Sequence, residues 1–194
     1  LQRASHALTG DDGVWLVDPV DFDGLDAFLD DHGDLQGVVL LLDRHRRDAA
    51  PIARRHDVPV YVPDWMGGVA DDIKADVERV HKDLPDSEYA IHKLIDNALW
   101  KEGLLYGERS KTLVVPEAVG TTDFFRAGDE RLGVHPALRL TPPWKLRQLP
   151  PERILVGHGP GVFEDAESAL LDALDGSRRR APSLFAKTVR SMLP

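Results

Sequence analysis

The stretch that decides the fold is VVLLLDRHRRDAAPIARRHDVPVYVP, residues 38–63. Val38 to Leu42 is an unbroken apolar run, the pattern of a strand covered on both faces. It stops at Asp43, Arg44, His45, Arg46, Arg47 and Asp48, after which a short helical pattern leads to a second apolar run, Val58 to Val62. Strand, helix and strand in such close succession favour a layered α/β fold. In open α/β sheets ligands sit beyond the carboxyl ends of the strands, so this ionisable knot stands where chemistry is expected.

Upstream, GVWLVD at residues 13–18 reads as a strand, and DFDGLDAFLDDHG places Leu25, Phe28 and Leu29 at helical spacing. The spacing then predicts a strand over 36–42, a helix over about 48–56 and a strand over 58–62. In residues 69–84, Ile73, Val77 and Val80 share one helical face, and the charged remainder suggests a solvent-exposed helix or an insertion. From residue 88 the texture changes. EYAIHKLID, EGLLYG and KTLVVPEAV are short apolar runs that read as antiparallel strands, the last two joined through GERS. Residues 123–150, rich in Pro and Arg, read as irregular chain with a short helix. ERILVGHGPGVFEDAESALLDALDG gives a strand, a Gly-rich turn and a helix with Ala169, Leu170 and Leu174 inward, and PSLFAKTVRSMLP reads as a final helix started by Pro182.

At 194 residues with no break in composition, one domain spanning residues 1–194 is expected. The apolar runs fall far short of the roughly 20 residues that cross a bilayer, and LQRASHALTG lacks the apolar core of a secretory signal, so no membrane partner and a cytoplasmic location are expected. The absence of cysteine excludes disulfides, thiolate nucleophiles and Cys-ligated zinc. A formal net charge of −9, with basic clusters confined to Arg44–Arg47, Arg54–Arg55 and Arg178–Arg180, argues against nucleic acid as a partner. Asp outnumbers Glu 24 to 9 and Arg outnumbers Lys 17 to 7, a halophile-like bias that concerns solubility.

Metal-capable side chains follow three apolar strands: Asp43, His45 and Asp48 after the first, Glu117 in LVVPEAVG, and His158 in ILVGHGPG. Imidazole and carboxylate suit zinc, manganese or iron. Asp43 and His45, two apart, point the same way if the backbone is still extended. The same charges also suit a salt-bridged knot in which Arg44, Arg46 and Arg47 partner Asp43 and Asp48, with Glu117 a turn residue and the two histidines simply hydrogen-bonded. His6, His32, His56, His81, His92 and His135 are scattered and read as solvated. No Gly-x-Ser-x-Gly elbow is present.

In the order DDGVWLVDP, LLDRHRRDAAPIARRHDVPVYVP, EGLLYGERSKTLVVPEAVG and ILVGHGPG, the chain resembles the metallo-β-lactamase fold superfamily over nearly its whole length. The resemblance implies a four-layer αββα sandwich with mixed sheets. It aligns the family's His-x-His-x-Asp-His motif with Asp43 to Asp48, so that His45 keeps its type while Asp43, Arg47 and Asp48 depart. The family's Gly-Asp falls on Pro116-Glu117 and its last Gly-His on Gly157-His158. Its middle His falls near KLIDNALWKEG, where Asp96 is the nearest substitute. Arg47 places a permanent cation where the family has a carboxylate, a repulsion of roughly 4 kcal/mol per unit charge at about 4 Å and an effective dielectric of 20.

The resemblance implies one divalent metal, zinc or manganese, held by His45, His158, Glu117, Asp43 and Asp48, and hydrolysis of an ester, thioester, lactone or phosphoester. A small anionic molecule is the expected partner, with Arg47 gripping its carboxylate or phosphate. The alternative is a descendant with no metal that binds a partner and catalyses nothing. Oligomeric state has no sequence signal.

Overall fold

A computed structural model of the protein describes residues 2–192, with side chains through Lys187. The chain forms two compact units, Ala4–Arg109 and Leu1–Arg3 with Ser110–Pro194.

In the Ala4–Arg109 unit, β1 (His6–Thr9), β2 (Val14–Val17), β3 (Leu35–Val39), β4 (Val60–Pro63) and β5 (Val77–Val80) form one sheet in that order. β1 pairs antiparallel with β2, and every later neighbour is parallel. The parallel strands are joined by α1 (Leu25–His32) and α2 (Ala49–His56), which lay Leu25, Leu29, Ala49, Ile52 and Ala53 against Val14, Leu16, Val38, Leu40, Val60 and Val62. Val38 to Leu42 are fully buried, as an unbroken apolar run requires. β6 (Tyr89–Asp96) and β7 (Lys101–Gly107) form an antiparallel hairpin, and β7 grips the end of β3 through Gly103 N–H to Leu41 O at 2.7 Å.

In the other unit, β8 (Thr112–Val115) and β11 (Arg153–Val156) run parallel with Val115 opposite Val156. β9 (Val119–Gly120) and β10 (Gly133–Val134) make a short antiparallel pair. Short 3-10 turns at Pro136–Leu138 and Trp144–Gln148 occupy the stretch expected to be irregular. A buried ion pair, Arg139 on Glu130, ties this region together; Glu130 also accepts from Ala127 N–H at 2.7 Å and from Arg180 at 3.2 Å.

Two helix expectations are corrected. Residues 69–84 hold only α3 (Gly67–Ala70) before the chain extends into β5. The open edge of β4 is the competing partner: Val60 N–H donates to Asp76 O at 2.8 Å, and Val60 to Pro63 pair with Val77 to Val80. Exposed Glu78 and Arg79 then suit an edge strand. The final helix does not start at Pro182. One helix, α4, runs from Ala166 to Met192 with Pro182 inside it, because Ala181 and Leu184 continue the buried stripe of Leu170, Ala173, Leu174 and Ser177. Leu193 and Pro194, the end of that expected helix, lie outside the described residues. β1 had no counterpart in the sequence pattern.

Candidate functional site

In the Ala4–Arg109 unit, the loop after β3 is organised by Asp18, at the end of β2. Asp18 is 3% exposed with φ 44°, and this left-handed turn aims its carboxylate back into the loop. One carboxylate oxygen accepts Leu41 N–H at 3.0 Å and the other faces His45 Nδ1 at 3.2 Å. Its main-chain oxygen accepts from Arg47 Nη1 at 2.8 Å and Ser5 Oγ at 3.1 Å. A carboxylate can only accept here, so His45 carries a proton on Nδ1, and in the neutral ring the lone pair falls on Nε2, the atom suited to a metal.

The chain does not stay extended past Leu42. His45 N–H closes a turn onto Leu42 O at 3.1 Å, so Asp43 and His45 are steered apart. Asp43 accepts Lys101 N–H at 2.8 Å and pairs with Arg44 at 2.9 Å. Asp48 accepts Asp21 N–H at 3.0 Å. Arg47, itself at φ 40°, donates to Ala4 O at 2.6 Å as well as to Asp18 O. Arg46 pairs with Asp72 at 2.7 Å. Much of the knot is thus tied through main-chain groups, and Arg44 pairs with Asp43 as expected.

Asp96, the nearest substitute for a middle ligand, is held between Lys101 at 2.6 Å and Lys93 at 2.9 Å. Its bonds to Lys101 and then to Lys93 keep its carboxyl below the usual range. The hidden acid of that region is instead Glu102, fully buried, accepting Trp100 Nε1–H at 2.7 Å while the Arg44 guanidinium lies 4.5 Å over the Trp100 ring. A lone Glu amid an apolar strand gave no sign of this in the sequence.

In the other unit, the parallel register of β8 and β11 ends both strands at one level, with Gly157 N–H on Pro116 O at 3.1 Å. Glu117 and His158 therefore emerge side by side, a carboxylate oxygen and a ring nitrogen within 4.8 Å. His158 is 7% exposed; its Nδ1 meets Gln2 O at 3.1 Å and its ring stacks on Phe125 at 5.8 Å. A carbonyl also only accepts, so His158 too carries a proton on Nδ1, with the lone pair of the neutral ring on Nε2. The Gly-rich turn is obligatory: Gly159 sits at φ 98°, and a Cβ there would come 2.4 Å from Thr121 Oγ1.

His135 corrects the expectation that it is solvated. Half-buried, it accepts Ala137 N–H on Nδ1 at 3.2 Å, so Nε2 carries the hydrogen and faces Glu117 at 3.8 Å, with Phe124 and Phe125 edge-on. The sequence separates these two residues by 18 positions, and only the β9–β10 pairing unites them. Of the other scattered histidines, His56 meets Asp26 at 3.0 Å and His81 meets Asp64 at 2.5 Å on the surface.

The fold is that of the metallo-β-lactamases. A metallo-β-lactamase from Pontibacter korlensis matches with TM-score 0.62 at 14% identity, over 89% of this chain and 87% of its own. TTHA1623 in a di-iron-bound form matches with TM-score 0.61 at 20% identity, over 87% of this chain and 93% of its own. DIM-1 metallo-β-lactamase exposed to ceftazidime gives TM-score 0.59 at 13% identity, over 93% of this chain and 84% of its own. No protein-family model and no curated protein matches the sequence.

Proposed function

We propose that this metallo-β-lactamase-fold chain is a metal-dependent hydrolase, holding one divalent ion through His45, Glu117 and His158. The observation that carries the proposal is the matched preparation of both histidines: an acceptor at each Nδ1, the Asp18 carboxylate for His45 and Gln2 O for His158, leaves Nε2 of the neutral ring as the ligand atom. Two imidazoles and a carboxylate fit zinc or manganese. Asp43 and Asp48 already accept main-chain N–H groups and serve the loop.

A divalent ion so held supplies a Lewis acid that brings the pKa of water towards neutrality. The protein's own part is orientation. Asp18 fixes the His45 ring, Gln2 O and Phe125 fix His158, and the His135 Nε2–H faces Glu117. The substrate class is an ester, thioester, lactone or phosphoester.

A second reading, a metal-free descendant, is favoured by one observation: with Asp43 and Asp48 engaged and Arg47 on carbonyls, the loop 43–48 offers a single imidazole. Thermal unfolding with and without chelator separates the two. The metal reading requires a fall in melting temperature on chelation, recovered by zinc or manganese. An unchanged melting curve supports the metal-free descendant.

A further inference from the structure

We propose that a cleft beside α2 binds the phosphate group of a small phosphorylated molecule. This site is independent of the metal reading. The cleft, of about 260 Å³, is lined by Arg46, Arg47, Arg54 and Lys74, and Asp72 is the carboxylate in its lining. Four cations against one anion make it strongly positive in a chain of formal charge −9. Such local reversal of sign focuses anions.

The cluster is assembled from three separate stretches. α2 buries Ala49, Ile52 and Ala53, which leaves Ala50 and Arg54, one turn apart, on its outer face above Arg46 and Arg47. Lys74 arrives from the turn before β5, where its main-chain oxygen accepts from Arg54 Nη1. Arg47 likewise lies on Ala4 O and Asp18 O. The Lys74 carbonyl holds the Arg54 guanidinium in place without cancelling its charge. Arg46 pairs with Asp72 at 2.7 Å, but the two side chains are 46% and 61% exposed, and such a pair is weak in water. A phosphate that enters can replace Asp72 as the partner of Arg46.

The volume selects among anions. It lies below the roughly 300–1,000 Å³ of sites that enclose drug-sized ligands, so a phosphate or diphosphate group fits while the rest of its molecule stays outside. Guanidinium groups take phosphate oxygens in pairs and a lysine adds a point charge, the combination present here.

Calorimetric titration with inorganic pyrophosphate at low salt tests the proposal, with adenosine diphosphate as a second probe. Parent protein is expected to bind saturably, more weakly as sodium chloride is added. Arg54→Gln with Lys74→Gln, both exposed, is expected to weaken binding about tenfold or more at an unchanged melting temperature. Lys74→Glu alone, on the exposed turn, gives the same comparison if the double variant melts early. His45→Ala with His158→Ala is expected to bind pyrophosphate like the parent, which separates this cleft from the metal ligands. Tighter binding of the nucleotide assigns the phosphate to a nucleotide, and equal binding assigns recognition to the phosphate alone; both uphold the site. No saturable binding of either probe to the parent, or undiminished binding by the cleft variants, overturns it.

Discussion

Asp18 holds His45 by Nδ1 at 3.2 Å while its other carboxylate oxygen takes the Leu41 N–H at 3.0 Å, so one side chain fixes both the end of the buried strand and the imidazole beyond it. The pair ties a backbone feature to a candidate ligand. Asp18→Asn keeps the shape but presents an amide, which cannot accept at both atoms. It is expected to weaken zinc or manganese affinity about 10–100-fold and to cost about 1–3 kcal/mol of stability. Competition titration against a metal indicator measures the first; an unchanged affinity sinks the orienting role.

Glu130 is expected to be a keystone of the Ser110–Pro194 region. It is 2% exposed and meets the fully buried Arg139. Glu130→Gln leaves a buried guanidinium without its counter-charge, a change that costs about 3–5 kcal/mol. Urea unfolding should show it, and a loss below about 1 kcal/mol would contradict the assignment.

Gly37 and Gly68 give a paired test of packing. A Cβ on Gly37 would meet the Tyr61 ring at 2.7 Å and the Trp15 ring at 2.8 Å, whereas one on Gly68 meets nothing within 4 Å. Gly37→Ala is expected to cost about 1–3 kcal/mol by overpacking. Gly68→Ala, in the short helix α3, is expected to be neutral or stabilising by up to about 1 kcal/mol. Equal melting temperatures for the two variants would be incompatible with this packing.

Alkaline stability should report on Tyr61. Burial, then the neighbouring Glu78, push its phenol up from 10.0 to about 12. A folded pKa above the unfolded one means that the native state holds the proton more tightly. That contribution is complete below about pH 10 and is lost as pH rises towards about 12. Tyr61→Phe removes it, so the variant should lose less stability than the parent across this window in pH-dependent unfolding.

The parallel core was legible because Val38 to Leu42 and Val58 to Val62 read as apolar runs, and burial on both faces of Val38 to Leu42 and of Val60 to Val62 leaves them no other use. The 69–84 segment misled because Ile73, Val77 and Val80 satisfy a helical period by coincidence; the open edge of β4 decided the matter, and a local pattern does not contain that edge. His45, Glu117 and His158 were legible as strand-end residues. Their supports were not. Asp18 lies 27 residues before His45, Gln2 lies 156 residues before His158, and His135 reaches Glu117 across a separate strand pair. Arg47, expected to grip a small anion, rests its guanidinium on the Ala4 and Asp18 carbonyls, partners that charge alone could not foretell.

The most direct measurement is metal content per chain, by elemental analysis of protein purified without chelator and dialysed against zinc or manganese, for the parent and for His45→Ala with His158→Ala. One equivalent in the parent, lost in the double variant, is the predicted result. A value near zero in the parent, or an equal value in both proteins, would contradict the metal centre.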